Sequence, residues 1–328
     1  MQTVETVQIV PLSDNETERL KKNYPTPFVK FGQRFVRTVP GNFLLPAAYE
    51  KFKDQIKSFE VRTEDVYVLG FPKNGTTWSQ ELVWCLQNNC DTEKAKAFSV
   101  YERIQVLDLS FILDFLQNEI GGDLKASFER MQTMDSPRVF KSHLSFDHLP
   151  YDLLEKSKAV MCLRNPKDAI VSLFHHEKVQ NLNDYTGDFS TFFELFMDNL
   201  VLYTPYFEYI QQLWKRRNHP NMCILFFEEM KVDLAGNIRR VAKFLGKEIT
   251  DEQVKILVDH LSFEKMKENK SVNHEVYQDG KIMKKEGSFL RKGEVGDWKN
   301  YFTDEMNKQM DEAIEKYLKP VGLEFRYE

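Results

Sequence analysis

Four short stretches of the chain concentrate cations, hydroxyls and a histidine in patterns suited to holding an anion and moving a proton. The first reads Gly70-Phe-Pro-Lys-Asn-Gly-Thr-Thr-Trp78. A glycine-rich turn that opens a helix points several backbone N–H groups at one spot, and the helix dipole adds partial positive charge there. Phosphate suits such a nest, with Gly75 allowing close approach and Thr76 and Thr77 adding hydroxyls. Gly70 and Gly75 match the glycines of the nucleotide P-loop, G-x-x-x-x-G-K-[ST], but the lysine does not. It stands inside the turn as Lys73, and Thr76 takes its usual place. The turn is therefore expected to handle a phosphate other than a metal-bound triphosphate.

The second stretch is Lys141-Ser-His143. At the end of a strand, alternation puts Lys141 and His143 on one side. Imidazole is the side chain best placed to accept a proton near neutral pH. In the third, Arg164 precedes Ser172 by two helical turns; a guanidinium forks onto phosphate and a hydroxyl adds one more bond. The alternative there is a helix-start salt bridge between Arg164 and Asp168. The fourth stretch is Phe289-Leu-Arg-Lys-Gly-Glu-Val-Gly-Asp-Trp298. Arg291, Lys292 and the Gly293 N–H form a compact phosphate site, unless the run is only a solvated charged loop.

These groups need elements to bring them together. Val66 to Leu69, Arg138 to Lys141, Ala159 to Leu163 and Met222 to Phe227 are short apolar runs that read as strands. Helices are expected from Thr77, from Pro166 to about Gln180, over much of 189–217, and over Gly236–Leu245, Asp251–His260 and Asp304–Tyr317. Thr250 with Gln253 gives Asp251–His260 a capping box, and Gly246 stops the helix before it. A small hairpin is expected over Val29–Val36, a helix over Ala47–Phe59 and a helical pattern over 92–117. Residues 119–135 and 264–293 read as loops. Strands separated by helices imply parallel pairing. Ligands then sit beyond the strands' carboxyl ends, where Lys73, Lys141 with His143, and Arg164 all fall.

The chain has 328 residues, a net charge of −5 and no long apolar run. It is expected to bind neither nucleic acid nor membrane. Met1–Pro11 lacks the basic start and apolar core of a secretory signal. Cys85, Cys90, Cys162 and Cys223 show no metal-ligand spacing and read as free buried thiols of a reducing, cytoplasmic compartment.

The turn, the Arg164–Ser172 element and the Arg291-Lys-Gly293 and Gly296-Asp-Trp298 run resemble, in order, the signatures of the cytosolic sulfotransferases, from about residue 60 onward. The chain is particularly similar to insect members, a group that includes a retinol dehydratase of the same fold. The resemblance implies a single α/β domain over 61–328, with a central, mainly parallel sheet flanked by helices and a P-loop-like phosphosulfate-binding loop. Residues 1–60 would be an N-terminal extension packed on it. It implies transfer of a sulfuryl group from 3′-phosphoadenosine 5′-phosphosulfate (PAPS) to a hydroxyl of a small-molecule acceptor, without a metal.

By position, Lys73 would stabilise the leaving phosphate, Lys141 would assist and His143 would be the general base. Asn74, Gly75, Thr76, Thr77 and Trp78 would hold the 5′-phosphate. Arg164, Ser172, Arg291, Lys292 and Gly293 would hold the 3′-phosphate, with Leu290 beside them. Phe263, next to Ser262, would pack near the adenine. Phe227 stands where the family often has tyrosine, so one nucleotide hydrogen bond is expected to be missing. The family's dimer motif is altered at Lys299, Thr303-Asp304 and Lys308, which puts a homodimer in doubt. Aromatic residues at 111, 115, 146, 174, 192, 193, 196 and 203 are expected mostly in the core, with some lining an apolar acceptor pocket under 108–135. A dehydratase using a sulfated intermediate, a nucleotide-binding sensor without turnover and a P-loop kinase are the rival readings.

Overall fold

Four-residue runs with no polar interruption make strands that can be buried on both faces, and such strands belong inside a parallel sheet. In the computed structural model, which describes residues 7–29, 34–112, 124–181, 183–273, 283–284 and 288–328, this is where they lie. The central sheet is five-stranded and runs β5-β6-β4-β7-β8. Its strands are β4 (Val66–Leu69), β5 (Gln105–Val106), β6 (Val139–Ser142), β7 (Lys158–Leu163) and β8 (Met222–Phe226). Every pairing is parallel.

Alternation sorts the side chains into two cores. Tyr67, Leu69, Phe140, Met161 and Ile224 face the helices Pro166–Val179, Phe189–Met197 and Tyr206–Trp214. Val66, Val68, Val139, Cys162 and Leu225 face Thr76–Gln87, Leu234–Leu245 and Asp251–His260. Helices on both faces of one sheet make a single α/β domain. The sequence-level stops hold: Thr250 and Gln253 form the capping box, and Gly246 ends its helix in the left-handed region. The four cysteines are free.

A second sheet of order β1-β2-β3 is antiparallel and lies at the N-terminal side: β1 (Gln8–Pro11), β2 (Phe35–Val39) and β3 (Leu44–Pro46). Its hairpin therefore falls after the expected Val29–Val36. Pro40-Gly41-Asn42 supplies the turn, with φ of 91° at Gly41 and 55° at Asn42; those residue types set the position. Residues 30–33 lie outside the described residues.

Other expectations need correction. Residues 124–133 form a helix rather than a loop; Phe128 and Met131, at helical spacing, are buried in the core. The preceding 113–123, with Gly121 and Gly122, lie outside the described residues. The helical pattern over 92–117 is broken into Thr92–Ala97, Val100–Arg103 and Leu109–Ile112, with β5 between the last two. The 264–293 stretch begins as a helix, Phe263–Glu268. The last strand stops at Phe226, and Phe227 opens the helix Phe227–Val232.

Candidate active site

Read along the sheet, the strand ends deliver Asp108, His143, the Lys73 turn, Arg164 and Phe227 in that order. Their side chains line one cavity of about 350 Å³.

The turn is built on backbone that side chains avoid. Gly75 has φ of 100° and is the residue before the helix Thr76–Gln87. A Cβ there would stand 2.9 Å from Cys162 Sγ and 3.1 Å from the Phe227 ring. Lys73 is itself left-handed, with φ of 67°, the kind of strain kept where geometry matters. Gly75→Ala is expected to weaken adenosine 3′,5′-bisphosphate (PAP) about tenfold or more, because strain of ~1–3 kcal/mol falls on the turn itself. Calorimetric titration checks it; unchanged affinity would mean the turn holds no phosphate.

His143 follows β6, whose last residue Ser142 is in register with Leu69 of β4. That register brings the imidazole Nδ1 to the Gly70 carbonyl at 2.6 Å. A carbonyl only accepts, so Nδ1 carries the proton and Nε2 keeps its lone pair. Burial, with Lys141 beside it, holds the imidazole well below its usual range; it is neutral at neutral pH and able to take a proton. Asp108 was not legible in the sequence as a site residue. It is buried and accepts from the His143 N–H at 2.7 Å, Ser142 Oγ at 2.5 Å and the Tyr203 hydroxyl at 3.0 Å. It thus fixes the backbone that carries the imidazole.

Lys73 Nζ donates to the Phe289 carbonyl at 3.1 Å and lies 3.7 Å from the centre of that ring. Burial, reinforced by Arg164, Lys141 and Arg291, brings its pKa down to about 7. Burial lowers Lys141 to about 8, against the pull of Asp108. Such crowding of cations is costly without an anion among them.

At the other end of the cavity's lining stand Arg164, Ser172, Phe227, Phe263, Leu290, Arg291, Lys292 and Gly293. The salt bridge from Arg164 to Asp168 does not form. Asp168 instead accepts the Gly296 and Trp298 N–H groups at 2.8 and 3.0 Å, pinning the late segment to the helix Pro166–Val179. Arg164 donates to the Glu294 carbonyl at 2.9 Å and lies 4.3 Å over the Phe227 ring. Arg291 and Lys292 both pair with Asp297. Burial would raise that carboxyl, but bonds from Lys292, Arg291 and Asn300 bring it down to about 2. Asp297, which the sequence reading placed in the Gly296-Asp-Trp298 run without a role, is thus what aims the two cations. Gly293, with φ of 65°, lies against Phe263, where a Cβ would meet the ring at 2.3 Å.

Two residues expected at the nucleotide have their side chains outside the cavity. Asn74 is fully buried behind the turn, and Ser262 caps the helix Phe263–Glu268 by accepting from the Lys265 N–H at 3.4 Å; neither lines the cavity. Of the eight aromatic positions considered for an acceptor pocket, Tyr203 alone among the described residues lines it. Phe115 lies outside them. The apolar wall comes from Leu109, Ile112, Leu173, Leu202, Met283 and Phe289.

Glu81, Cys85 and His260 are close enough to share a metal, but Glu81 already pairs with Arg103 at 2.7 Å and His260 at 2.7 Å. In that cluster Glu81, on the Thr76–Gln87 helix, is a buried partner of Arg103 and His260.

The family model described as Sulfotransferase domain matches residues 63–322. The chain belongs to the sulfotransferase family. Sulfotransferase 1E1 of Bos taurus is 34% identical over 85% of this chain and 92% of its own. Luciferin sulfotransferase of Photinus pyralis is 30% identical over 95% of this chain and 86% of its own. A solved structure of retinol dehydratase with retinol and PAP superposes with a TM-score of 0.89 at 31% identity, over 98% of this chain and 99% of that one. This sulfotransferase is accordingly an enzyme that uses PAPS as donor and a hydroxyl compound as acceptor. The donor suits the residues present. Trp78 Nε1 and Arg164 Nε are buried without a hydrogen-bond partner, and both residues line the cavity. Buried polar atoms of this kind call for a ligand. Among the described residues no helix is long and apolar enough to cross a membrane.

Proposed function

We propose that this sulfotransferase passes the sulfuryl group in line from PAPS to the hydroxyl of a small apolar acceptor, a phenol, sterol or retinoid-like alcohol. His143 takes the acceptor's proton on Nε2. Lys73 offers positive charge to the bridging oxygen as the phosphate leaves, and Lys141 assists. The amides and hydroxyls of residues 75–78 hold the 5′-phosphate; Arg164, Ser172, Arg291 and Lys292 with the Gly293 N–H hold the 3′-phosphate. The observation that carries the reading is the Nδ1 bond to Gly70, which leaves Nε2 as a base in the cavity that Lys73 also lines. Alignment and charge stabilisation do most of the work in such transfers. A sulfuryl group carries little charge, and the lysines and arginines supply the positive charge, so activity is expected to survive chelation of divalent metals. Incubating the protein with PAPS and a panel of phenols, sterols and retinoid alcohols, and quantifying PAP and sulfate ester, tests the reading. PAPS left unconsumed across the panel would favour a nucleotide-binding protein without turnover.

The close superposition on retinol dehydratase supports a second reading, elimination through a sulfated intermediate. Accumulation of a dehydrated product instead of the ester would select it.

A pH profile follows from the electrostatics. His143 is held low, so its neutral form persists well below pH 6.5. Lys73 and Lys141 lose charge as pH rises through about 7 and 8. Since kcat/KM reports the free enzyme, kcat/KM for PAPS is expected to be level on the acid side and to fall above about pH 7. A profile that rises through pH 6.5 to 7.5 would count against the assignment of His143.

A further inference from the structure

Glu177 is a buried carboxyl in the cavity with no part in sulfuryl transfer as described. Glu177 lies five residues beyond Ser172 on the helix Pro166–Val179, lines the cavity and is 4% exposed. Its Oε2 accepts from Asn183 Nδ2 at 2.7 Å. Among the described residues nothing else donates to it and no cation pairs with it. Lys178, next in sequence, turns to the Gly187 carbonyl at 3.3 Å. His176, one residue before, meets Gln180 at 3.3 Å and the edge of Phe289. The titratable groups that sense Glu177 are the hydroxyls of Tyr24, Tyr185 and Tyr203, all pushed above their usual range by burial first, and therefore neutral.

A carboxyl removed from water with one neutral donor is poorly compensated, and such groups are kept where a partner arrives from outside. Burial pushes Glu177 up to about 7, so near neutral pH a cation beside it would hold it ionised. Leu173, Leu202 and Met283 line the same cavity, and apolar surroundings strengthen such a pairing. Asn183 already supplies a neutral donor; among the described residues, what is missing is positive charge.

We infer that Glu177 and Asn183 form a subsite for the protonated amine of the acceptor, so that the preferred acceptors are phenolic amines or amino alcohols whose hydroxyl reaches His143 while the ammonium meets Glu177. This rests on the transfer reading for the hydroxyl end, and the test separates the two. Dissociation constants of 4-(2-aminoethyl)phenol and its neutral isostere 4-propylphenol are measured by calorimetry on the full chain loaded with PAP. The amine is expected to bind about tenfold or more tighter at about pH 8, where Glu177 is ionised. The advantage should shrink to about threefold or less at about pH 6, where Glu177 is protonated and the amine still charged. Glu177→Gln should erase it. Equal binding of the pair at pH 8, an advantage that does not change with pH, or an advantage retained by Glu177→Gln would overturn the subsite. If that variant does not fold, Asn183→Lys decides, since Lys73 and Lys141 also lose charge between pH 6 and 8: a cation placed beside Glu177 should erase the amine's advantage, and an advantage retained there would overturn the subsite. Whether bound 4-propylphenol is then sulfated is a separate readout: its failure would sink the transfer reading and leave the amine site standing.

Discussion

Replacing His143 with alanine is expected to lower kcat by about a thousandfold, the middle of the range that a positioned general base contributes. PAP affinity should stay within about threefold, because no group assigned to the nucleotide depends on the imidazole. Nδ1 is spent on the Gly70 carbonyl, so the side chain offers the acceptor one free nitrogen. Asp108 still holds the Ser142 hydroxyl and the backbone N–H of residue 143 in the variant, which keeps the strand end in place. Single-turnover rates beside PAP titrations separate the outcomes. An equal loss of chemistry and nucleotide binding would make His143 a scaffold residue.

Arg164→Ala is expected to weaken PAP about tenfold to a hundredfold, the usual worth of a charge-assisted bond to phosphate. Adenosine 5′-monophosphate, which lacks the 3′-phosphate, should lose far less. The guanidinium is braced by the Glu294 carbonyl and the Phe227 ring, and its Nε is without a partner. Parallel titrations of the two nucleotides check this. Equal weakening of both would show that Arg164 supports the cavity wall without reading the 3′-phosphate.

The parts of this site that could be seen in the sequence are those whose chemistry is local. The glycine turn declares itself because Gly75 must be left-handed and free of a Cβ. The strands β4, β6, β7 and β8 are apolar runs too short for helices. The parts that could not be seen depend on contacts distant in the chain. β5 is two residues long, inside a stretch with helical spacing, and exists because Gln105 and Val106 pair with Phe140 and Lys141. Without that strand nothing marks Asp108 as a neighbour of His143. Asp168 looks like a partner for Arg164 from sequence distance alone; only the fold brings it to the amides of Gly296 and Trp298. Asp297 likewise looks like one acid in a charged run until Arg291 and Lys292 close on it. Glu177 sits in an ordinary helical pattern, and only the fold shows that it is buried and lines the cavity. Ser262 shows the reverse case: a serine beside a nucleotide-site aromatic, used as a helix cap.

The most direct measurement is a crystal structure of the protein with PAP and a bound phenol. The imidazole Nε2 of His143 should lie within about 3.2 Å of the phenol oxygen. Lys73 Nζ and the amides of residues 75–78 should reach the 5′-phosphate at hydrogen-bond distance. A phenol seated away from His143, or a 5′-phosphate held anywhere but on that turn, would contradict the assignment of acid, base and anion site made here.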